Sequence, residues 1–312
     1  MVDLLNPYNY AIRFRNWLYD AGFVKTCNPQ VPVISVGNLS TGGSGKSSLV
    51  RYMASLLSRS FHVCILSRGY RRRTKGTLLV SSGSGPLHSW QETGDEPFML
   101  ARVLPGVNLV VDEDRCKGAS FALKHLKPDL FLLDDGFQHR RVNRDLNILL
   151  LKKKDFSDRL LPFGRLREPL SAIERADVIV LSYAELEDFR WNHPRKPTLR
   201  MYRENWRVVR SLDGVVLKDF PQRSFTAFAG LGDNNQFFRT LEMLGIKVEE
   251  RLSLPDHYHY QDFRLSRDRL YITTLKDAVK LAPSENLFYL DFDLKVEGLK
   301  ELVEKFIAKN FV

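Results

Sequence analysis

The segment Val31-Pro-Val-Ile-Ser-Val-Gly-Asn-Leu-Ser-Thr-Gly-Gly-Ser-Gly-Lys-Ser-Ser48 joins an apolar run of strand length to a glycine-rich turn, and a helical pattern starts near Lys46. A strand feeding a helix through glycines is an arrangement that cradles phosphate. The glycines let backbone N–H groups approach phosphate oxygens, and the positive end of the helix dipole favours the negative charge. Gly42, Gly43, Ser44 and Gly45 supply the turn, flanked by Thr41 and Ser48. Lys46 is placed to reach β- and γ-phosphates, and Ser47 to ligate Mg²⁺. The usual pattern is GxxxxGK[ST], and here Ser40 stands at its first position. The expected ligands are therefore the phosphates of a nucleotide, with Mg²⁺.

Working outward, Val63-Cys-Ile-Leu66 is a second apolar run and ends in Ser67-Arg-Gly-Tyr-Arg-Arg-Arg73. Residues 74–94 read as turns or short hairpin strands. Helical patterns around Pro97–Leu104 and Arg115–His125 bracket a strand at Asn108–Val111. Asp129–Leu133 runs into Asp134-Asp135-Gly136, and Leu146–Leu151 and Val178–Leu181 are further apolar strands. Short continuous apolar runs alternating with helices predict an α/β fold, a P-loop NTPase-like and mostly parallel sheet with helices on both faces. Over 199–220 the pattern changes to alternation, with Asp213-Gly214 between two arms, which predicts a β-hairpin linker. A smaller C-terminal α/β domain follows, with strands at Phe225–Ala229, Leu270–Thr273 and Leu287–Tyr289 and a final helix at Leu294–Lys309. The expected layout is a helix over 1–24, a phosphate-binding domain over 25–198, the linker over 199–220 and the small domain over 221–312.

With 44% hydrophobic and 27% charged residues, the 312-residue chain is neither collagen-like nor disordered. Its +10 net charge, 47 Lys and Arg against 37 Asp and Glu, favours an anionic partner. No apolar run approaches the length of a membrane span, and no secretion signal is recognisable. Cys27, Cys64 and Cys116 are scattered and odd in number. They argue against a disulfide scaffold or a zinc site and suit a reducing compartment. In the N-terminal stretch, Asn6-Pro7 predicts a capped helix start, followed by a stripe of Tyr10, Phe14, Trp17 and Ala21 beside Arg13 and Arg15. This stripe fits either a helix packed on the core or an in-plane amphipathic membrane helix.

Asp134 and Asp135 close an apolar strand, where a carboxylate beside a phosphate loop can hold Mg²⁺. Other clusters leave more than one reading. Asp95, in Thr93-Gly-Asp-Glu-Pro97, suits a helix cap as well as a base. His257 sits in the loop Leu254-Pro-Asp-His-Tyr-His-Tyr260, where a histidine is often structural. Arg165, Arg167 and Glu168 follow Leu161-Pro-Phe-Gly164, a loop whose guanidinium groups suit phosphate oxygens. Arg68 and Arg71–Arg73 read equally well as a solvated face.

Taken together, Val36-Gly-Asn38, the phosphate loop, Ser67-Arg-Gly-Tyr70, Gly94-Asp-Glu-Pro97, Asp134-Asp-Gly-Phe-Gln-His139, Leu166-Arg-Glu-Pro169, Ala229-Gly-Leu-Gly232, Asp256-His257 and Lys276-Asp-Ala-Val-Lys280 resemble one family. It is that of the tetraacyldisaccharide 4′-kinases, the lipid A 4′-kinases of Gram-negative bacteria. The resemblance covers nearly the whole chain, with small departures at Phe163 and Arg72. It implies transfer of the γ-phosphate of ATP to the 4′-hydroxyl of an acylated glucosamine disaccharide 1-phosphate. It also implies a peripheral or monotopic enzyme on the cytoplasmic face of the inner membrane, with no nucleic-acid partner and no obligate protein partner. The resemblance points to Asp95 as base paired with His257, to Arg167 at the transition-state oxygens and to Glu168 orienting Arg167 or a metal-bound water. A MinD/ParA-like switch ATPase is the rival enzyme, but it would carry a signature lysine where Thr41 stands. A basic nucleic-acid binder would need a recognisable binding motif, and none is present.

Overall fold

The computed structural model describes residues 6–186 and 189–311. The first five residues of the predicted 1–24 segment lie outside the described residues, as do residues 187, 188 and 312 of the two predicted domains. The elements run α1 (Pro7–Asp20), β1 (Val33–Asn38), α2 (Lys46–Leu57), β2 (Val63–Ser67), β3 (Leu78–Ser82), α3 (Trp90–Thr93), α4 (Asp95–Val103), β4 (Asn108–Val111), α5 (Arg115–His125), β5 (Leu130–Asp134), β6 (Leu146–Leu151) and β7 (Val178–Leu181). They continue with β8 (Thr198–Arg210), β9 (Ser224–Ala229), α6 (Asn234–Met243), β10 (Lys247–Ser253), β11 (Tyr271–Thr274), α7 (Leu275–Ala278), β12 (Leu287–Val296) and α8 (Leu299–Asn310). Two compact units result, one of residues up to Tyr202 together with those from Leu294 on, the other Arg203–Asp293.

In the first unit the strands lie in the order β3-β4-β2-β5-β1-β6-β7-β8. Along this order the neighbouring strands from β4 to β8 pair in parallel, and the edge strand β3 pairs antiparallel with β4. β1, β2, β5, β6 and β7 are buried along their whole length, as parallel strands covered on both faces must be. α2 buries Leu49, Val50, Met53, Ala54 and Leu57, roughly 1.5–3 kcal/mol for each large side chain. α5 covers another part of the sheet with Ala119 and Ala122 against Val33, Cys64, Leu66, Phe131 and Leu133. Chain order reverses at β1, which lies between β5 and β6, and ligands of such sheets bind beyond the strand C-termini at that reversal. Two motifs explain each other there: a Cβ on Gly37 would come within 2.5 Å of the Phe137 Cβ, so the strand end needs glycine for the Asp134–His139 turn to pack on it.

α1 begins as its sequence predicts, with the Asn6 side chain accepting from the Tyr8 N–H and Pro7 in the first turn. Tyr8 and Ile12 face the protein, while Tyr10, Phe14 and Trp17, with Phe23 just beyond, are more than half exposed. The exposed rings stack, Phe14 on Trp17 at 5.8 Å and Trp17 on Phe23 at 5.5 Å. The helix thus packs on the protein through Tyr8 and Ile12, and the Tyr10, Phe14 and Trp17 rings of the stripe stay exposed. No described helix is long and apolar enough to cross a membrane.

The second unit carries β10-β9-β11-β12, all in parallel pairs, over a core that includes Phe225, Phe237, Phe238, Leu241 and Phe288. Four details differ from the sequence reading. The expected hairpin is one long strand, β8, and its second arm shrinks to a single bridge between Val209 and Val216. β10 was not expected, because as an edge strand it is largely solvated and carries Lys247, Glu249, Glu250 and Arg251. β12 extends to Val296, so the last helix starts at Leu299 and belongs to the first unit, where Phe311 packs on Phe61 at 4.5 Å. Finally, Cys27 and Cys116 form a disulfide across 89 residues, against the expectation of unpaired thiols. The odd count hides a pair plus the buried Cys64, and a bridge between Cys27 and Val142 helps bring the first partner to α5.

Candidate active site

The glycine-rich loop connects β1 to α2, with Gly45 as the residue before the first helical turn. A second loop is zipped onto it. The Thr41 N–H donates to the Arg165 carbonyl at 2.8 Å, the Arg167 N–H to the Leu39 carbonyl at 2.6 Å, and Ser40 bridges Leu166. The Leu161–Pro169 segment is therefore one wall of the phosphate loop, which accounts for its sequence motif lying so far along the chain.

Charged side chains meet where β1 and β5 end. Arg167 grips Asp135 with Nη1 and Nη2, at 2.8 and 2.7 Å. Lys46 Nζ lies 3.6 Å from Asp135 Oδ1 and donates to Asn38 Oδ1 at 3.0 Å. Arg167 donates to the same Asn38 oxygen, and Asn38 Nδ2 donates to the Ser40 carbonyl at 2.7 Å. Gln138 donates to the Asn38 carbonyl at 2.8 Å. Asn38 is thus the hub that holds Lys46, Arg167 and the loop, a role sequence reasoning missed. Its only sequence signal was the Val36-Gly-Asn38 motif.

Asp134, at the end of β5, accepts from Ser67 Oγ at 3.0 Å through Oδ2. Its Oδ1 is buried with no hydrogen-bond partner among the described residues. Burial, then the Glu96 and Asp135 charges, push the Asp134 carboxyl up to about 7. Burial would also raise Asp135, but Lys46 and Arg167 outweigh it and hold that carboxyl far below the usual range. Glu96 and the buried Arg115, which faces both aspartates, are two further site groups missed in the sequence. An orphaned carboxylate oxygen beside a phosphate loop fits Mg²⁺. Among the described residues no three His, Cys, Asp or Glu side chains assemble as a metal cage. Mg²⁺ commonly takes one or two carboxylates plus substrate phosphates.

Asp95 is buried as the first residue of α4, while the cap position falls on Gly94. A side chain at Gly94 would meet the backbone of Gly69 and Tyr70 at 3.1–3.3 Å, so glycine lets the Asp95 turn pack on the Ser67–Tyr70 turn. Glu168 is fully buried and accepts from Arg15 at 3.1 Å, Asn16 at 3.0 Å and Arg175 at 2.6 Å. Two of these donors belong to α1, and Tyr8 Oη of the same helix donates to the Arg167 carbonyl at 3.0 Å. Glu168 thus fastens α1 to the loop that carries Arg167. Of the arginine run, Arg72 is not solvated: its side chain is 2% exposed and paired with Glu113 at 2.8 Å. His139 is held neutral, pushed down to about 4 by burial and then by Arg115. His257 belongs to the second unit, 3.7 Å from Asp256 within its own loop.

The family model for tetraacyldisaccharide-1-P 4′-kinase (LpxK) matches residues 3–310. A tetraacyldisaccharide 4′-kinase of Aquifex aeolicus is 53% identical over 312 residues, covering 98% of each chain. Another from Halothermothrix orenii is 35% identical over 340 residues, covering 95% of this chain and 88% of that one. A crystal structure of an "apo" form of LpxK from Aquifex aeolicus in complex with ATP matches with a TM-score of 0.88 at 53% identity, over 98% of this chain and 96% of that one.

Proposed function

The chain belongs to the tetraacyldisaccharide-1-P 4′-kinase family, and from there we propose how its residues divide the work of moving the γ-phosphate of ATP to the 4′-hydroxyl of an acylated glucosamine disaccharide 1-phosphate. It is an ATP-binding phosphotransferase of lipid A biosynthesis. The observation that carries the assignment is the convergence of Lys46, Asn38, Arg167 and Asp135 beside the phosphate loop.

The amides of Thr41–Ser48 cradle the phosphates, and Lys46 exchanges Asn38 and Asp135 for the β- and γ-oxygens. Ser47 and Asp134 would hold Mg²⁺, with Asp135 kept nearby by Lys46 and Arg167, and a bound Mg²⁺ would supply charge neutralisation at the phosphates. Arg167 offsets charge on the equatorial oxygens in the transition state. Asp95 accepts the proton of the 4′-hydroxyl with His257 as its partner, and Glu168 keeps the Arg167 loop in place. The exposed rings of α1 rest on the cytoplasmic face of the inner membrane, beside the lipid substrate. A MinD/ParA-like switch is disfavoured by the family match and by Thr41 where its signature lysine would stand.

The experiment is a kinetic cycle of wild type, Asp95→Ala, His257→Ala and the double variant at saturating ATP and lipid. Each single change should lower kcat by roughly 10²-fold or more, and the double should be little slower than the worse single. Fully multiplicative effects would mean the two residues act separately, and a wild-type rate in Asp95→Ala would leave it a helix-start residue.

A further inference from the structure

The motif Lys276-Asp-Ala-Val-Lys280 has no part in the chemistry described so far, yet Lys276 and Lys280 reach the segment that carries His257, and Asp277 reaches the Gly230 turn against which that segment lies. Asp277 is fully buried and accepts from the Gly230 N–H at 3.0 Å and from Thr274 Oγ1 at 3.0 Å. The Gly230 carbonyl in turn accepts from the His257 N–H at 3.3 Å. Lys280, whose side chain is also fully buried, lies 3.4 Å from Asp277 Oδ1 and donates to the Tyr258 carbonyl at 3.4 Å. Its ammonium stands 5.5 Å from the Tyr260 ring centroid. Lys276 Nζ lies 3.7 Å from Asp256 Oδ1. The motif therefore holds residues 256, 257 and 258 and the glycine turn beneath them.

This segment needs holding. His257 and Tyr260 both adopt left-handed backbone, φ 63° and 56°, which residues with a side chain keep only where the surroundings over-determine it. A buried lysine–aspartate pair is also poorly explained by stability, since an apolar pair of equal volume avoids the desolvation cost. We propose that Asp277 and Lys280 are positioning residues for phosphoryl transfer, a buried ion pair that fixes the Pro255–Tyr260 loop and thereby the placement of His257. This rests on the assignment of His257 to catalysis made above.

The test has two arms on the full chain. In the first, diethyl pyrocarbonate modifies histidines and peptide mass spectrometry reads each site. The His257 side chain is 12% exposed and the His62 side chain 81%, so His62 is the internal standard. In Lys280→Met, and in Asp277→Asn/Lys280→Met, which leaves no unpaired buried charge and so guards against misfolding, the His257-to-His62 ratio should rise at least roughly fivefold as the loop opens. In the second arm, kcat should fall roughly 10- to 100-fold with KM for ATP within about twofold, the cost of a misplaced reacting group. Adding either change to His257→Ala should cost nothing more. An unchanged modification ratio overturns the positioning, and a multiplicative loss in the His257→Ala background overturns its action through His257. A wild-type kcat in His257→Ala overturns the assignment of His257, a failure that the modification ratio tells apart from a loop that was never held.

Discussion

Replacing Glu168 with glutamine should loosen α1 and slow transfer together. The carboxylate is fully buried and receives Arg15, Asn16 and Arg175 at 3.1, 3.0 and 2.6 Å. Glutamine keeps the shape, but its amide turns a donor toward at least one of three donors. Losing one partner of a buried ion pair costs about 3–5 kcal/mol. The Arg15 and Arg175 side chains are 37% and 22% exposed and can recover water, which lowers the cost to about 2–3 kcal/mol. In a unit of this size that is a fall in Tm of roughly 5–10 °C. The assay is denaturant unfolding with hydrogen exchange read along Pro7–Asp20, beside steady-state kinetics. The α1 amides should lose protection, because Glu168 anchors the helix alongside the Tyr8–Arg167, Asn6–Leu161 and Arg140–Asn16 bonds. Through Arg167, the preceding residue, kcat should fall roughly tenfold while KM for ATP holds. Unchanged stability and protection with transfer abolished would place Glu168 in the chemistry itself and refute this reasoning.

Lys46→Ala should lower kcat by at least roughly 10²-fold with the fold intact, since a main cation at the phosphates is gone; a rate within tenfold of wild type would refute the phosphate-loop assignment. Phe14→Ser/Trp17→Ser removes exposed rings, so Tm should move little, while co-sedimentation with anionic vesicles drops and turnover on detergent-dispersed lipid holds. Equal loss of turnover and binding would count against the membrane reading. His139, held down to about 4, is neutral in the folded protein, whereas the unfolded chain protonates it near 6.5. The stability this preserves is complete above about pH 6.5 and is lost as pH falls toward 4, by about 1–2 kcal/mol after allowing for partial exposure. His139→Gln should flatten that acid limb by the same amount in urea unfolding at pH 7.5 and 4.5, and an unchanged difference would contradict it.

The parallel sheet was legible because β1, β2, β5, β6 and β7 are continuous apolar runs, and the phosphate loop because its glycines, lysine and serine are contiguous. β10 was not, since an edge strand needs no apolar face. The disulfide was not, since Cys27 and Cys116 meet only once α5 and the bridge beside Val142 are folded. Within the site, Lys46, Arg167 and Asp135 were readable from their chemistry, and the structure joins them. Asn38 was not, because an asparagine between strand and loop carries no charge to mark it, and two of its four partners, Gln138 and Arg167, lie 100 and 129 residues away. Glu168 was placed near the site by its motif, but the helix it holds lies 152 and 153 residues earlier, a pairing that no local pattern encodes.

The most direct measurement supplies γ-labelled ATP and an acylated glucosamine disaccharide 1-phosphate to the purified protein, then maps the label on the product by phosphorus–proton correlation spectroscopy. The account predicts one new monoester, on the 4′-oxygen, formed by wild type and at least roughly 10²-fold more slowly by Lys46→Ala. Label appearing only as inorganic phosphate, or on any other oxygen of the disaccharide, would contradict it.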